Sequence, residues 1–460
     1  MRAVRRDPAS RPLWLVLPDQ LSTRIFFDCG IVELLVEELG SSLRLVFLLP
    51  PEEGSEWAKR VPGVAAAQRL DLFPWRPSLP ERAHRLLDRW LDRQIGFYPL
   101  ALRHSLRHGF HRQRMWPGHR NWFLDPDRAG PLPQWWWLDP WMRRWHYGRL
   151  RYVPSALREA LLRERPTVVL SNMQMQSVVP VIVAARRLGL VSIGYVASWD
   201  HPIGKGIVSP HMRRYLVQNQ AMHDDLVRYH GIDPSRIVIT GWPQTDLYYR
   251  SRPRSDYEAL LRGFGLDPAL PLVMVMGNTP TNAPYEPRFV ERLVAWWEEG
   301  HHHRFQLLFR PHPRDGEWQK RFAAALGKSG AYVQQPSFTD LEALATLLQH
   351  GSCVVANAGT ILLDALVNDR PAVCVLYDEG APPGESFAVK NVLGEHYRAL
   401  LRSRAFYRAE RFEEVVAGID RALAHPHELA AERARVAREV VGEVDGRAAE
   451  RVVEAILEAR

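Results

Sequence analysis

The sequence predicts an α/β protein built from two Rossmann-like lobes, with an aromatic and basic insertion in the first. Short, nearly all-apolar runs recur along the chain, each followed by a stretch of helical periodicity. That is the pattern of parallel strands covered by helices on both faces. The chain has 460 residues, 46% hydrophobic and 24% charged, which exceeds one ordinary domain and supplies apolar side chains for two cores. A polar stretch rich in Pro and Arg, residues 250–255, separates two series of such runs.

In the first series, an apolar run Leu13–Leu17, a helical stretch Ile31–Leu39 and a second run at 43–49 read as β-α-β. Regular alternation resumes with a strand Thr167–Leu170, a helix at 178–188, strands at 191–196 and 215–217, a helix at 221–229 and a strand at 236–240. The second series runs strand Leu272–Met276, helix 288–297, strand 306–309, helix 317–326 and strand 332–334. It continues with helix 341–348, strand Cys353–Ala356, helix 360–367 and strand 372–376. Amphipathic helices are expected at Phe412–Ala424, 430–441 and 448–457. The expected domains are residues 1–250, with the insertion at about 95–150, then 256–405, then C-terminal helices over 406–460. The insertion stands out by composition: residues 103–151 hold ten Arg and seven Trp against three acids.

Composition excludes several classes. Cys29, Cys353 and Cys374 are too few for a disulfide framework and lack the CxxC spacing of a zinc site. No apolar run reaches the length of a membrane span, and the basic N-terminal residues lack the apolar core of a signal peptide. A cytoplasmic location is therefore expected. The net charge of +8 rests almost wholly on Arg, with only five lysines, and it favours anionic partners. A GC-rich genome would give the same arginine excess without any functional demand.

In an open parallel sheet, ligands bind beyond the carboxyl ends of the strands. In the second lobe the residues just past those ends form a set. Gly277, Asn278 and Thr279 make a small polar turn open to an anion. Arg310 and His312 sit in a loop stiffened by Pro311 and Pro313 and can donate to phosphate. Thr339 and Asp340 precede a helix, with Asp340 placed as its N-cap. Asn357, Gly359 and Thr360 lead into another helix whose first amides are suited to a diphosphate, and Asp364 lies one turn further on. Neither GxxxxGK[ST] nor GxGxxG occurs, so a phosphate-rich ligand would be held without a P-loop.

These strings carry a resemblance. Arg310-Pro311-His312-Pro313, the run Thr339-Asp340-Leu341-Glu342-Ala343-Leu344 and the segment from Asn357-Ala358-Gly359-Thr360 to Asp364-Ala365-Leu366 resemble the donor lobe of GT-B transferases. They are most similar to the CDP-glycerol glycerophosphotransferases of teichoic acid synthesis and related capsule enzymes. Ser198-Trp199-Asp200-His201-Pro202 through Lys205-Gly206 stands where that family has Trp-His-Gly-Thr-Pro-Leu-Lys, and Gly241-Trp242-Pro243-Gln244-Thr245-Asp246 resembles its Gly-aromatic-Pro-Arg-Asn-Asp turn. The resemblance spans residues 166–378. It implies an acceptor-side first lobe, a nucleotide-donor-binding second lobe, and donor phosphates held at His312, Gly359 and Thr360. It also implies that Asp200 or His201 flanks the attacking hydroxyl as general base. The sequence departs from the family at Asn357 for Asp, Gly359 for Ser, Gln244 for Arg and Asp200-His201 for His-Gly.

The expected function follows. A sugar or polyol-phosphate moves from a nucleotide-activated donor to a hydroxyl on a saccharide or lipid-linked acceptor, in surface polysaccharide or glycolipid synthesis of a bacterial cell envelope. Arg310, His312 and the amides at Gly359 and Thr360 would neutralise the leaving phosphate, so no metal and no cofactor is expected. The triplet Asp125-Pro126-Asp127 and the run His301-His302-His303 read as turn and helix-end residues instead of metal ligands. The Trp/Arg segment has two readings: it docks a lipid-linked acceptor or an anionic membrane at the inner face of the plasma membrane, or it packs as an insertion with its own small core. No RNA-binding module occurs, so nucleic acid is not an expected partner. The alternatives are an isomerase of the UDP-sugar 2-epimerase type, which would turn over a nucleotide sugar without acceptor, and a non-catalytic nucleotide-sugar-binding scaffold.

Overall fold

The computed structural model describes residues 11–61, 69–71, 83, 86, 147–148, 152–204, 208–382, 386–392 and 395–460. The Trp/Arg segment, apart from Tyr147 and Gly148, lies outside the described residues, as do Asp125, Asp127, Lys205 and Gly206. The chain divides into two compact units. The described residues up to Pro243 join Arg447–Arg460 in the first, and Gln244–Gly446 form the second.

The first unit holds a seven-stranded parallel sheet. Its strands are β1 (Leu13–Leu17), β2 (Leu43–Phe47), β3 (Arg69–Asp71), β4 (Thr167–Leu170), β5 (Ser192–Tyr195), β6 (Arg214–Val217) and β7 (Ile237–Ile239). In space they run β3-β2-β1-β4-β5-β6-β7. The central β1, LWLVL, is buried at every position, as a strand covered on both faces must be. Its register pairs Leu13 with both Leu43 and Thr167. The flanking helices start and stop on local signals. Asn219 caps Gln220–His230 by accepting from the Met222 amide, and Gly231 closes it in the left-handed region. The last helix, Ala448–Ala459, packs against Ile31–Leu39 in this unit and buries a stripe of Val452, Val453 and Ile456.

The second unit holds a six-stranded parallel sheet: β8 (Leu272–Met276), β9 (Gln306–Arg310), β10 (Ala331–Val333), β11 (Cys353–Ala356), β12 (Ala372–Val375) and β13 (Tyr407–Ala409), in the order β10-β9-β8-β11-β12-β13. One core joins Val273, Phe309, Val355 and Val373 of the sheet to Val290, Leu293 and Trp297 on one helix and Val415 and Ile419 on another. Both sheets therefore reverse their strand order once, beside β1 and β4 in the first and beside β8 and β11 in the second.

Several local features differ from expectation, β3 and the helices Gln20–Asp28, Pro51–Lys59, Ser155–Glu164 and Arg254–Gly263 among them. The helix expected over 317–326 is a single turn, Trp318–Arg321, followed by a 3-10 turn, Ala323–Ala325. The edge strand β13 was not expected. Its three residues carry neither an apolar run nor clear alternation. Cys353 and Cys374 are buried free thiols, and burial pushes both up to about 12. Among the described residues no helix is long and apolar enough to cross a membrane.

Candidate functional site

Where strand order reverses, the loops leaving the neighbouring strands part in opposite directions and leave a crevice. In the second unit that place is flanked by the turn after β8 and the turn after β11. A small cavity of about 40 Å³ sits there, lined by Met276, Tyr285, Glu286, Asn357, Tyr377 and Asp378 among others.

The turn after β8 is packed to its limit. A Cβ on Gly277 would lie 2.8 Å from the Phe322 ring and 3.2 Å from the Pro311 Cα, so only glycine lets the two loops meet. Its amides are already engaged. Gly277 N–H donates to the Arg310 carbonyl (2.9 Å), Asn278 N–H to Glu286 Oε1 (2.9 Å) and Thr279 N–H to Asn278 Oδ1 (2.8 Å). What this turn offers an anion is therefore its side chains, not these amides.

Arg310 ends β9 with its guanidinium buried. It pairs with Asp340 (2.7 Å) and donates to Gln334 Oε1 (2.6 Å). Asp340 stands at the N-cap position of Leu341–His350 but makes no side-chain cap. It accepts from Arg310 and from Gln334 Nε2 (3.1 Å) instead, and its Oδ1 is buried without a hydrogen bond. The ion pair has thus taken the carboxylate that the sequence assigns to capping. Thr339 is exposed, and its amide donates to Ser337 Oγ (3.0 Å).

His312 accepts the Arg314 N–H at Nδ1 (3.0 Å), which places the proton of the neutral ring on Nε2. The ring therefore has a donor suited to a phosphate oxygen. Beneath this loop Glu286 is nearly buried, and desolvation raises its carboxyl to about 7 against the pull of the Arg321 guanidinium.

The turn after β11 explains the departures seen in the sequence. Asn357 Nδ2 donates to the carbonyls of Val375 (2.7 Å) and Ala388 (3.0 Å), while its Oδ1 accepts from Asn391 (2.8 Å). An aspartate would face two carbonyl oxygens with no proton to give. Gly359 has φ +110°, a conformation that side chains rarely adopt, and its N–H donates to Tyr397 Oη (2.6 Å). Thr360 stands at the N-cap position of Ile361–Val367 without a side-chain cap. Asp364, buried on that helix, accepts from Gln244 Nε2 (2.9 Å), which also donates to Tyr248 Oη (2.8 Å). Gln244 and Asp364, 120 residues apart, thus form one buried contact.

The remaining candidates lie in the first unit. Asp200 accepts from Ser198 Oγ, and His201 begins the short helix His201–Gly204, its N–H donating to the Ser198 carbonyl (3.0 Å). The His201 carbonyl accepts from Gln174 Nε2 (3.0 Å), and its ring is buried.

Sequence reasoning missed two features. At the first sheet's reversal, Asp19 caps Gln20–Asp28 through the amides of Leu21 and Ser22, and its other oxygen accepts from Ser22 Oγ (2.7 Å) and Asn172 Nδ2 (3.0 Å). The signal was an Asp two residues past an apolar run. Tyr397 has no motif around it, and nothing local marks it. Among the described residues, no group of three or more His, Cys, Asp or Glu is disposed to hold a metal ion.

No protein-family model matches the sequence, and no curated protein matches it. Solved structures do match the fold. The UDP-GlcNAc 2-epimerase from Neisseria meningitidis bound to UDP-GlcNAc superposes with a TM-score of 0.56 at 9% identity, covering 97% of this chain and 100% of that one. The UDP-GlcNAc 2-epimerase of Methanocaldococcus jannaschii, in complex with UDP-GlcNAc and UDP, gives 0.52 at 12% identity over 97% and 99% of the two chains. A glycosyltransferase from Rickettsia africae gives 0.50 at 8% identity over 98% and 99%. The chain has the GT-B fold.

Proposed function

We propose that the protein is a GT-B transferase that moves a sugar or polyol-phosphate from a nucleotide-activated donor to a hydroxyl of a saccharide or lipid-linked acceptor, without metal or cofactor. The observation that carries the reading is the gathering of the turns after β8, β9 and β11 at one edge of the second sheet, beside its reversal of strand order. The strings Arg310-Pro311-His312-Pro313 and Asn357-Ala358-Gly359-Thr360, which resemble those of glycerophosphotransferases, fall at the ends of β9 and β11, and that resemblance favours transfer over isomerisation.

The chemistry is a displacement. The acceptor oxygen forms a bond to the anomeric carbon or phosphorus while the bond to the leaving nucleotide breaks, and that nucleotide keeps the electron pair. Asp200 or His201 takes the acceptor proton. His312 Nε2–H, with the side chains of Asn278, Thr279 and Thr360, stabilises the departing phosphate. Work on a surface polysaccharide would place the protein at the inner face of the plasma membrane.

The second reading is a UDP-sugar 2-epimerase-like isomerase, favoured by the fold likeness to two such epimerases. One experiment separates the two. UDP-GlcNAc and CDP-glycerol are supplied alone and with mixed glycan and lipid acceptors, and nucleotide release is followed beside 2-epimer formation. Release that requires an acceptor supports the transferase. Epimer formed without acceptor overturns it, and activity lost to chelator and restored by Mg²⁺ or Mn²⁺ overturns metal independence.

A further inference from the structure

Beneath the turns after β8 and β9 lies an ionic network that the proposed chemistry does not use. Arg321 closes the single-turn helix Trp318–Arg321 and is buried. Its Nε donates to Asp315 Oδ2 (2.9 Å), and its Nη2 donates to Glu286 Oε2 (2.6 Å) and to the carbonyls of Ala283 (3.1 Å) and Asn278 (3.3 Å). Glu286 Oε1 in turn accepts the Asn278 N–H, so both polar groups of that peptide unit's residue are pinned from below. On the other side, the Asp315 amide donates to the His312 carbonyl (2.8 Å), and the Asp315 carboxylate accepts the Glu317 amide (2.9 Å). One guanidinium therefore binds the turn carrying Asn278 and Thr279 to the loop carrying His312.

We propose that Arg321 is a positioning residue that holds these two loops in a single register, so that they meet the phosphates of a nucleotide ligand as one surface. The proposal rests on the donor-site reading above. Three physical points carry it. Burying a guanidinium with two carboxylates is a poor way to stabilise a core, because an apolar cluster of equal volume does so without the desolvation cost. What the network supplies is direction: a planar fork with donors fixed on two sides, which an ammonium group cannot imitate. Both tethered segments lead to the candidate ligand residues, and at Gly277 they touch without space for a methyl group. The sequence gives no hint of this role, since Glu286, Asp315 and Arg321 share no local motif and charged side chains are ordinarily exposed.

The test is a double-mutant cycle read by calorimetry with UDP, CDP and inorganic pyrophosphate on the full chain. Wild type, Arg321→Lys, His312→Ala and the double variant are compared, with melting and circular dichroism recorded for each. The expected result is a loss of about tenfold in affinity for each single variant with the fold intact, and a double variant weakened by clearly less than the product of the two losses, because part of the Arg321 effect passes through the His312 loop. Losses that multiply would overturn the positioning role, as would wild-type affinity in Arg321→Lys; either leaves the donor-site reading standing. Wild-type protein that binds none of the three probes overturns that reading and this proposal together. Should Arg321→Lys fail to fold, Glu286→Gln takes its place in the same cycle, keeping an acceptor for the Asn278 N–H while removing the ionic partner, and the same outcomes apply.

Discussion

The two sheets share the strand order 3-2-1-4-5-6 and differ in how polar groups occupy the place where it reverses. In the first unit Asp19, Ser22, Ser171 and Asn172 are all buried and hydrogen-bond chiefly to one another and to the start of a helix. In the second, the polar groups are layered. Buried Arg321 and Asp315 and nearly buried Glu286 satisfy the loop backbones from below, and Asn278, Thr279 and His312 stand on the loops themselves. The first arrangement uses its polarity to cap a helix. The second ties buried charge to loop backbones, beneath the side chains that the proposed donor site uses.

The largest effect that would sharpen this contrast is Arg321→Met. It leaves Glu286 and Asp315 buried without their cation, and removing one partner of a buried pair costs about 3–5 kcal/mol. Urea unfolding of the variant should show that loss. A change under about 1 kcal/mol would mean that the network is solvated and fixes nothing.

The second is a pH effect. Desolvation raises Glu286 from its ordinary value of 4.5 to about 7 in the folded chain, against the lowering effect of Arg321, with Asp315 adding to the rise. Tyr377, Asp378 and Glu379 line the same cavity. A carboxyl whose folded pKa is raised holds its proton more tightly in the native state. Its contribution to stability is complete below about pH 4.5 and is lost as pH climbs to 7, by at most about 3 kcal/mol. Stability measured from pH 5 to 8 should therefore fall more steeply in wild type than in Glu286→Gln. Equal slopes would show that Glu286 stays ionised throughout.

Most of the architecture was legible in the sequence, and the reason is specific. β1, β4, β8 and β11 are fully buried runs with few polar side chains, so composition alone marks them. The loops were legible as positions because parallel strands fix where the residues past their carboxyl ends must fall. Their partners were not. Arg310 and Asp340 were each assigned a separate task, and only the fold shows them spent on each other. Asn357 looked like the loss of a carboxylate, whereas its two N–H donors bind two carbonyls that no sequence pattern pairs with it. The contacts that decide these roles join residues tens of positions apart, and a periodicity of two or 3.6 carries no record of them.

A third substitution asks whether the turn after β11 tolerates the serine that the glycerophosphotransferase pattern places there. At φ +110° a side chain on Gly359 is strained although nothing crowds its Cβ, so Gly359→Ser should cost about 1–3 kcal/mol, all of it backbone. A neutral result would mean that the turn relaxes freely and is not a fixed element of the site.

The smallest effect compares single hydrogen bonds across the two reversals. Asp19→Ala removes a helix cap and the partner of Asn172 and should cost about 2 kcal/mol. Tyr397→Phe removes the acceptor of the Gly359 N–H and should cost about 1 kcal/mol. Their consequences for nucleotide binding should run the other way. Tyr397→Phe frees an amide beside the candidate phosphate residues and should change affinity for UDP or CDP, whereas Asp19→Ala should leave it untouched. If Asp19→Ala weakens nucleotide binding as much as Tyr397→Phe does, the first reversal is itself part of the ligand site, and the division between a structural and a functional cluster fails.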